Sequence, residues 1–342
     1  MNQPKTYKFY FLALVILLVV LFFVNISLGS VFIPIKETFA TLFGNSSNTS
    51  WHYIIWNYRI PKAFTAIFVG SGLSLSGLLM QTLFRNPLAG PFVLGISSGS
   101  SLGAALLIMG AGLLTSIFSF DIYNNVTLII ASSLGSFLVL FAVLSVAIKI
   151  KDTMSLLIIG LMFGSITGAV VSVLSYFTTA EKLQQYTYWS FGSLGDLSWS
   201  QLALLTGILS IGILLSIISI KPLNAFLLGE NYAQSLGIQI KKSRYIIIIA
   251  TGLLAGSITA FAGPIAFIGL ATPHLTRQIF NTTDHKTLVP AVLIFGAVIM
   301  LICDTIAQFP GSESVLPINA ITSIIGAPVV IWLLIKKQKM VF

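Results

Sequence analysis

Residues 59–103, RIPKAFTAIFVGSGLSLSGLLMQTLFRNPLAGPFVLGISSGSSLG, decide the fold. They set two apolar, Gly- and Ser-rich stretches on either side of one short polar break, Arg85-Asn86-Pro87. Phe64 to Phe84 carries no charge, and its 21 residues at about 1.5 Å each span the roughly 30 Å of a bilayer's hydrocarbon. Gly70, Ser71, Gly72, Ser74, Ser76 and Gly77 crowd one half of that run. Helices in lipid gain little by hiding apolar side chains from one another, so small residues that admit a close neighbour hold such helices together. Two readings follow for this stripe: a tight helix–helix interface, or a polar lining for a permeation path. Asn86 and Pro87 end the helix, because the residue before proline is pushed out of the α region and proline supplies no N–H.

The rest of the chain extends the pattern. Of 342 residues, 56% are hydrophobic and 8% charged, and the mean hydropathy is +0.98. Such a composition excludes an ordinary soluble domain. Lys5 and Lys8 precede an apolar run over 9–24 that superficially suggests a signal peptide, but no A-x-A-like cleavage site follows, so an uncleaved first helix is expected. Cys303 is the single cysteine and can form no intramolecular disulfide.

Ten apolar runs are expected to cross the membrane, at about 9–29, 63–84, 92–112, 125–148, 154–177, 199–220, 243–262, 264–280, 287–308 and 317–335, so that both termini share a side. This topology sorts the cations behind the net charge of +9. Lys5, Lys8, Arg85, Lys149, Lys151, Lys221, Lys241, Lys242, Arg244, Arg277, Lys286, Lys336, Lys337 and Lys339 fall on one face, and Lys36, Arg59, Lys62 and Lys182 on the other. A split of 14 to 4 makes the first face cytoplasmic by the positive-inside rule. It also places the charge at a membrane surface, so no nucleic acid is expected. Gly263-Pro264 breaks the run from 243 to 280, giving two spans with a tight turn or one span with a re-entrant piece.

Two long segments, 30–62 and 178–198, read as outer loops with Trp51, Trp56, Tyr58, Tyr186, Tyr188, Trp189 and Trp199 in or beside them. Aromatic residues at that depth form an interfacial belt or meet a ligand or partner. Arg59 and Lys62, spaced i, i+3, are expected to point the same way, toward lipid phosphate or an acidic partner. The longest inner connection is 221–244, KPLNAFLLGENYAQSLGIQIKKSR. Gly229 and Gly237 punctuate two short helical pieces, 222–228 and 230–236, whose many apolar residues suit either the membrane surface or a groove on another protein.

Several chemistries have no residues to perform them. No G-x-x-x-x-G-K-[ST] occurs, so any ATP-driven power stroke must come from a partner. His52, His274 and His285 are dispersed, no G-x-S-x-G turn appears, and neither a metal site, a cofactor nor an enzymatic activity is expected. Asp304 is an acid inside an apolar run, which is costly unless it reaches interfacial water, finds a partner or faces a pathway. The residues alone leave a partner-driven transporter, a self-sufficient secondary transporter or channel, and a docking receptor all open.

Five ordered blocks resemble one family. They are Arg59-Ile60-Pro61-Lys62; Gln81 with Arg85 to Ala89, Pro91, Leu94 and Gly95; Leu228-Gly229-Glu230 with Ala233 and Leu236-Gly237; Ala262 to Leu270 with Pro273-His274 and Arg277; and Thr322 with Ile325 to Pro328. Over almost the whole chain the sequence is similar to FecCD-type permeases of ABC importers for ferric siderophores, haem and vitamin B12 (cobalamin). The resemblance implies an all-α, polytopic type II importer permease forming one transmembrane domain over 1–342, in the bacterial cell membrane. It further implies a second permease subunit, identical or closely related, with a substrate path between the two moving cargo inward by alternating access. It assigns 221–244 to coupling with a cytoplasmic ABC ATPase dimer through Leu228, Gly229, Glu230, Ala233, Leu236 and Gly237. Arg59 and Lys62 match the outward cations that dock an extracytoplasmic substrate-binding protein. Asp152, Thr153, Met154 and Ser155 match the cytoplasmic gate, and Arg85, Asn86 and Pro87 form a cytoplasmic turn. Two positions depart from the pattern: Gln308 stands where a third docking Arg is expected, and Val315 where a Glu usually precedes Leu-Pro, with Glu313 nearby.

Overall fold

The computed structural model describes residues 4–29, 31, 33–42, 44, 48–110, 125–147, 150, 153–308 and 315–335. These residues form helices and connecting turns, with no strand among them. In chain order the helices are α1 (Pro4–Ser27), α2 (Ile35–Leu42), α3 (Thr49–Ile54), α4 (Ile60–Leu83), α5 (Ile96–Ile108), α6 (Asn125–Ala147), α7 (Thr153–Phe177) and α8 (Ala180–Ser190). They continue with α9 (Trp199–Ile218), α10 (Ile220–Leu228), α11 (Glu230–Ser235), α12 (Ile240–Thr251), α13 (Ser257–Ala262), α14 (Ile268–Phe280), α15 (His285–Ala307) and α16 (Ile318–Ile335). Each of the ten apolar runs falls on one of these helices, α12 and α13 together serving one run through a π turn at Gly252–Gly256. Among the described residues seven helical stretches, each 20 residues or longer, are long and apolar enough to cross a membrane, whereas α5, α14 and α16 are shorter.

The chain divides into two compact units. The first holds Met1–Leu75, Ser193–Gly207 and Ile265–Val341. Its organising helix is α15, which packs on α1, α14 and α16. Small residues permit a close crossing with α4: a Cβ on Gly70 would lie 2.2 Å from the Gly296 carbonyl oxygen, and one on Gly296 would lie 2.3 Å from Ser74 Oγ. Ser71 Oγ donates to the Leu293 carbonyl at 2.8 Å. Gly70, Ser71 and Ser74 therefore face α15, which settles the two readings of the stripe in favour of helix packing at those positions. At the other end of this unit Tyr7, Tyr10 and Phe11 of α1 surround Phe280, with ring centroids 5.0–6.0 Å away.

The second unit holds Ser76–Gly192 and Ile208–Pro264. Here α5 crosses α6 at backbone contact, since a Cβ on Gly135 would sit 2.1 Å from the Gly99 carbonyl oxygen. Tyr186 and Trp189 of α8, partly buried, pack on Ala105, Ile108 and Met109. Gly263, at φ +75°, ends α13, and α14 restarts at Ile268.

The segments read as outer loops carry helices of their own. Asn48 caps α3 by accepting from the Ser50 and Trp51 amides at 3.0 and 3.3 Å, and α8 opens with Glu181 in its first turn, where the helix dipole favours an acid. Short polar helices of this kind escape a search for apolar periodicity.

Candidate functional site: a pinned two-helix segment and a buried ion pair

In the second unit four stretches distant in sequence meet at α10 and α11. Leu223, Ala225 and Phe226 are the buried side of α10, and Ala233 is the buried residue of α11. Gly229 joins the helices at φ 115° and ψ 148°, a conformation open to glycine and strained for any residue with a Cβ. Arg85, in the turn after α4, donates through Nε at 2.8 Å to the Phe226 carbonyl, which also accepts from the Gly229 amide at 3.2 Å at the end of α10. On the other side of the joint, Glu230 occupies the first turn of α11, and its carboxylate accepts from Arg244 Nη2 at 2.9 Å. Arg244 is buried and also donates from Nη1 to the Ile150 carbonyl at 3.3 Å.

Both flanks of Gly229 are thus tied by an arginine to a different part of the unit. The outward surface stays apolar: Leu228 is 65% exposed, Leu236 57% and Tyr232 51%. A cleft of about 900 Å³ lies alongside, lined among others by Glu230, Gln234, Ile238, Lys241, Lys242 and Tyr245. A rigid, partly apolar projection beside a basic cleft suits insertion into another protein. Gly237, at φ +81°, closes α11, so the two short helices expected from the sequence are present with their glycine boundaries.

Of the four residues read as a gate, Asp152 and the side chain of Thr153 lie outside the described residues, while Met154 and Ser155 lie in the first turn of α7, Met154 being 53% exposed. Arg85 adopts φ +46°, and Asn86 Oδ1 accepts from the Leu88 amide at 2.9 Å to shape the turn before α5.

In the first unit Arg59 and Lys62 do not point the same way. A π turn over Ile55–Arg59 precedes α4 and breaks the regular i, i+3 relation. Arg59 is buried; Nη1 donates to the carbonyls of Ile26 and Ser27 at 2.8 and 3.0 Å, and Nη2 donates to that of Val31. It caps the C-terminus of α1, where orphan carbonyls and the helix dipole both favour a cation. The expectation of an outward Arg59 is corrected accordingly: in this conformation its guanidinium is engaged inside the protein.

Lys62 instead meets Asp304, with Nζ 3.2 Å from Oδ1. The other carboxylate oxygen, Oδ2, accepts from Asn25 Nδ2 at 2.8 Å and Gln308 Nε2 at 2.9 Å. Asp304 is therefore buried and paired rather than reaching for interfacial water. Gln308 fills the position of the expected third arginine as a neutral donor to the same acid. Sequence reasoning had not singled out Asn25 or Arg244; the unexplained Asp304 was the one signal that a buried donor set existed.

Comparison with known proteins gives these two clusters a context. The FecCD transport family matches residues 17–336. This chain belongs to that family. As a FecCD protein it is a multi-pass transport permease of the ABC importer class and not an enzyme. It is 34% identical over 337 residues to the vitamin B12 import system permease protein BtuC of Klebsiella pneumoniae, covering 98% of this chain and 96% of that one. Identity is 31% over 331 residues with the hemin transport system permease protein HmuU of Yersinia pestis, covering 95% of each. A solved structure described as an inward-facing conformation of a metal-chelate type ABC transporter superposes with a TM-score of 0.83 at 29% identity, covering 98% of this chain and all of that one. The FecCD motifs quoted from the sequence include both structural clusters, Arg59 to Lys62 in one and Arg85 with Leu228 to Gly237 in the other.

Proposed function

We propose that this chain is the membrane-spanning subunit of a bacterial importer that carries a bulky chelate inward: cobalamin, haem or a ferric siderophore. Family membership and the relatives named for vitamin B12 and hemin support that cargo class. The chain lies in the cell membrane with both termini cytoplasmic and acts as a homodimer or close heterodimer. A cytoplasmic ABC ATPase dimer supplies the energy, and an extracytoplasmic binding protein delivers the cargo.

The observation that carries the reading is the joint at Gly229. A surface that receives motion from an ATPase must present a grip and resist local deformation. Leu228, Tyr232 and Leu236 supply the grip, and Arg85 and Arg244 stiffen the flanks. ATP-driven closure of the ATPase would move α10 and α11, and alternating access would follow from the helices pinned to them. On α7, Ser165, Gly168 and Ser172 lie on a face that also exposes Ile158, Met162 and Val173. Lipid makes no use of those small polar positions, which supports placing the second permease subunit and the cargo path against α7.

The test is reconstitution in liposomes with the ATPase and binding protein, followed by competition among ferric siderophores, haem and cobalamin. Uptake that requires both partners and ATP is expected. Uptake by the purified chain alone, driven by an ion gradient, would replace this reading with a secondary transporter.

A further inference from the structure

The two cations of the motif Arg59-Ile60-Pro61-Lys62 are held in different ways. Arg59 spends its guanidinium on three backbone carbonyls, those of Ile26, Ser27 and Val31. Lys62 holds a single carboxylate oxygen, and its side chain keeps 18% of its surface exposed against 3% for Asp304.

Asp304 is prepared to lose that cation. Its Oδ2 keeps two amide donors, Asn25 and Gln308, whatever happens at Oδ1. Stripping every partner from a buried carboxylate is prohibitive, whereas removing one of three leaves the charge hydrogen-bonded. The lysine, for its part, has a flexible four-carbon stem. Beside that stem lies Gly195, where even an added Cβ would stand 3.8 Å from Lys62 Cδ, so this position leaves the stem room on that side.

We infer that Lys62 is an exchangeable cation: a carboxylate on the docking protein competes with Asp304 for the Lys62 ammonium, and docking breaks the Lys62–Asp304 pair. The inference rests on the proposed docking of a binding protein and adds what that docking does. The pair links the first turn of α4 to the last turns of α15, and the same acid reaches α1 through Asn25. Arrival of the partner therefore releases α4 from α15 at this end and leaves α1 and α15 joined. An Arg at 62 would be a poorer device, because a bidentate fork would take both oxygens of Asp304 and exchange reluctantly.

The experiment uses the full chain in nanodiscs and the substrate-binding protein that supports its uptake in liposomes, with affinity measured at fixed salt. Asp304→Asn removes the internal competitor and is expected to tighten binding about tenfold, in line with coupling energies of close charge pairs. Lys62→Gln is expected to weaken binding at least as much, and to erase the gain from Asp304→Asn in the double variant. If Asp304→Asn fails to fold, Gln308→Arg gives the acid a rival cation; tighter binding is again expected, and its loss when Lys62→Gln is added separates release of Lys62 from direct docking by the new guanidinium. Amine acetylation of Lys62 followed by mass spectrometry should run faster in either variant than in the wild type, and slow when the partner binds. Unchanged affinity in Asp304→Asn and Gln308→Arg, alongside weakened binding in Lys62→Gln, would overturn exchange and leave docking intact. Unchanged affinity in all three would overturn docking through Lys62 itself.

Discussion

The Nε of Arg85 lies 2.8 Å from the carbonyl oxygen of Phe226, joining the turn after α4 to the last turn of α10 across 141 residues of sequence. Because Arg85 itself is exposed, the bond contributes about 1 kcal/mol, roughly a fivefold change in a local equilibrium. Arg85→Ala should insert into the membrane normally yet slow ATP-driven uptake several-fold. Uptake assays on liposomes matched for protein content measure this.

Gly229 offers a sharper perturbation. Its φ of 115° costs a residue with a Cβ about 1–3 kcal/mol, and that Cβ would lie 3.1 Å from Arg85 Nη2. Gly229→Ala should lower the number of cargo molecules moved per ATP hydrolysed, while Glu230→Arg, which sets a second arginine against Arg244, should abolish uptake. Wild-type transport by Glu230→Arg would remove this account of coupling.

Packing and coupling can be separated with glycine substitutions elsewhere. Gly70→Ala drives a methyl into the Gly296 carbonyl and Met300, an overpacking of about 1–3 kcal/mol. Gly207→Ala, on α9, meets nothing within 4 Å and should gain about 0.4–1 kcal/mol by reducing unfolded-state freedom. Thermal unfolding in detergent should place the two variants on opposite sides of the wild type.

Arg59→Lys keeps the charge but cannot reach three carbonyls with one planar fork. A loss of about 1–3 kcal/mol in stability is expected, read as a lower unfolding temperature with or without a binding protein present. Replacing Arg59 and Lys62 together by Glu is consequently a poor test of docking, because the first change also uncaps α1. Docking is better probed at Lys62 alone.

What the sequence made legible follows from the range of each signal. Hydropathy reports on the solvent around a residue, and the ten apolar runs land on helices; glycine reports on local backbone, and Gly229, Gly237 and Gly263 mark the breaks. The pairings of Lys62 with Asp304 and of Arg85 with Phe226 depend on which distant helices become neighbours, and no local period encodes that. Arg59 misled for a further reason: five residues of π turn rotate it away from the regular helical face, and cations near a helix end give no hint of whether they cap or project. Asp304 came nearest to revealing the cluster, since its cost demanded partners that the sequence could not name.

The two arginine ties beside Gly229 give the segment the character of a lever with its fulcrum fixed on both sides. A push on Leu228 or Leu236 has no slack to take up, so torque passes together to the end of α4 through Arg85 and to the start of α12 through Arg244. On the proposed coupling, a stroke of the ATPase would be shared between two helices at the instant it is applied.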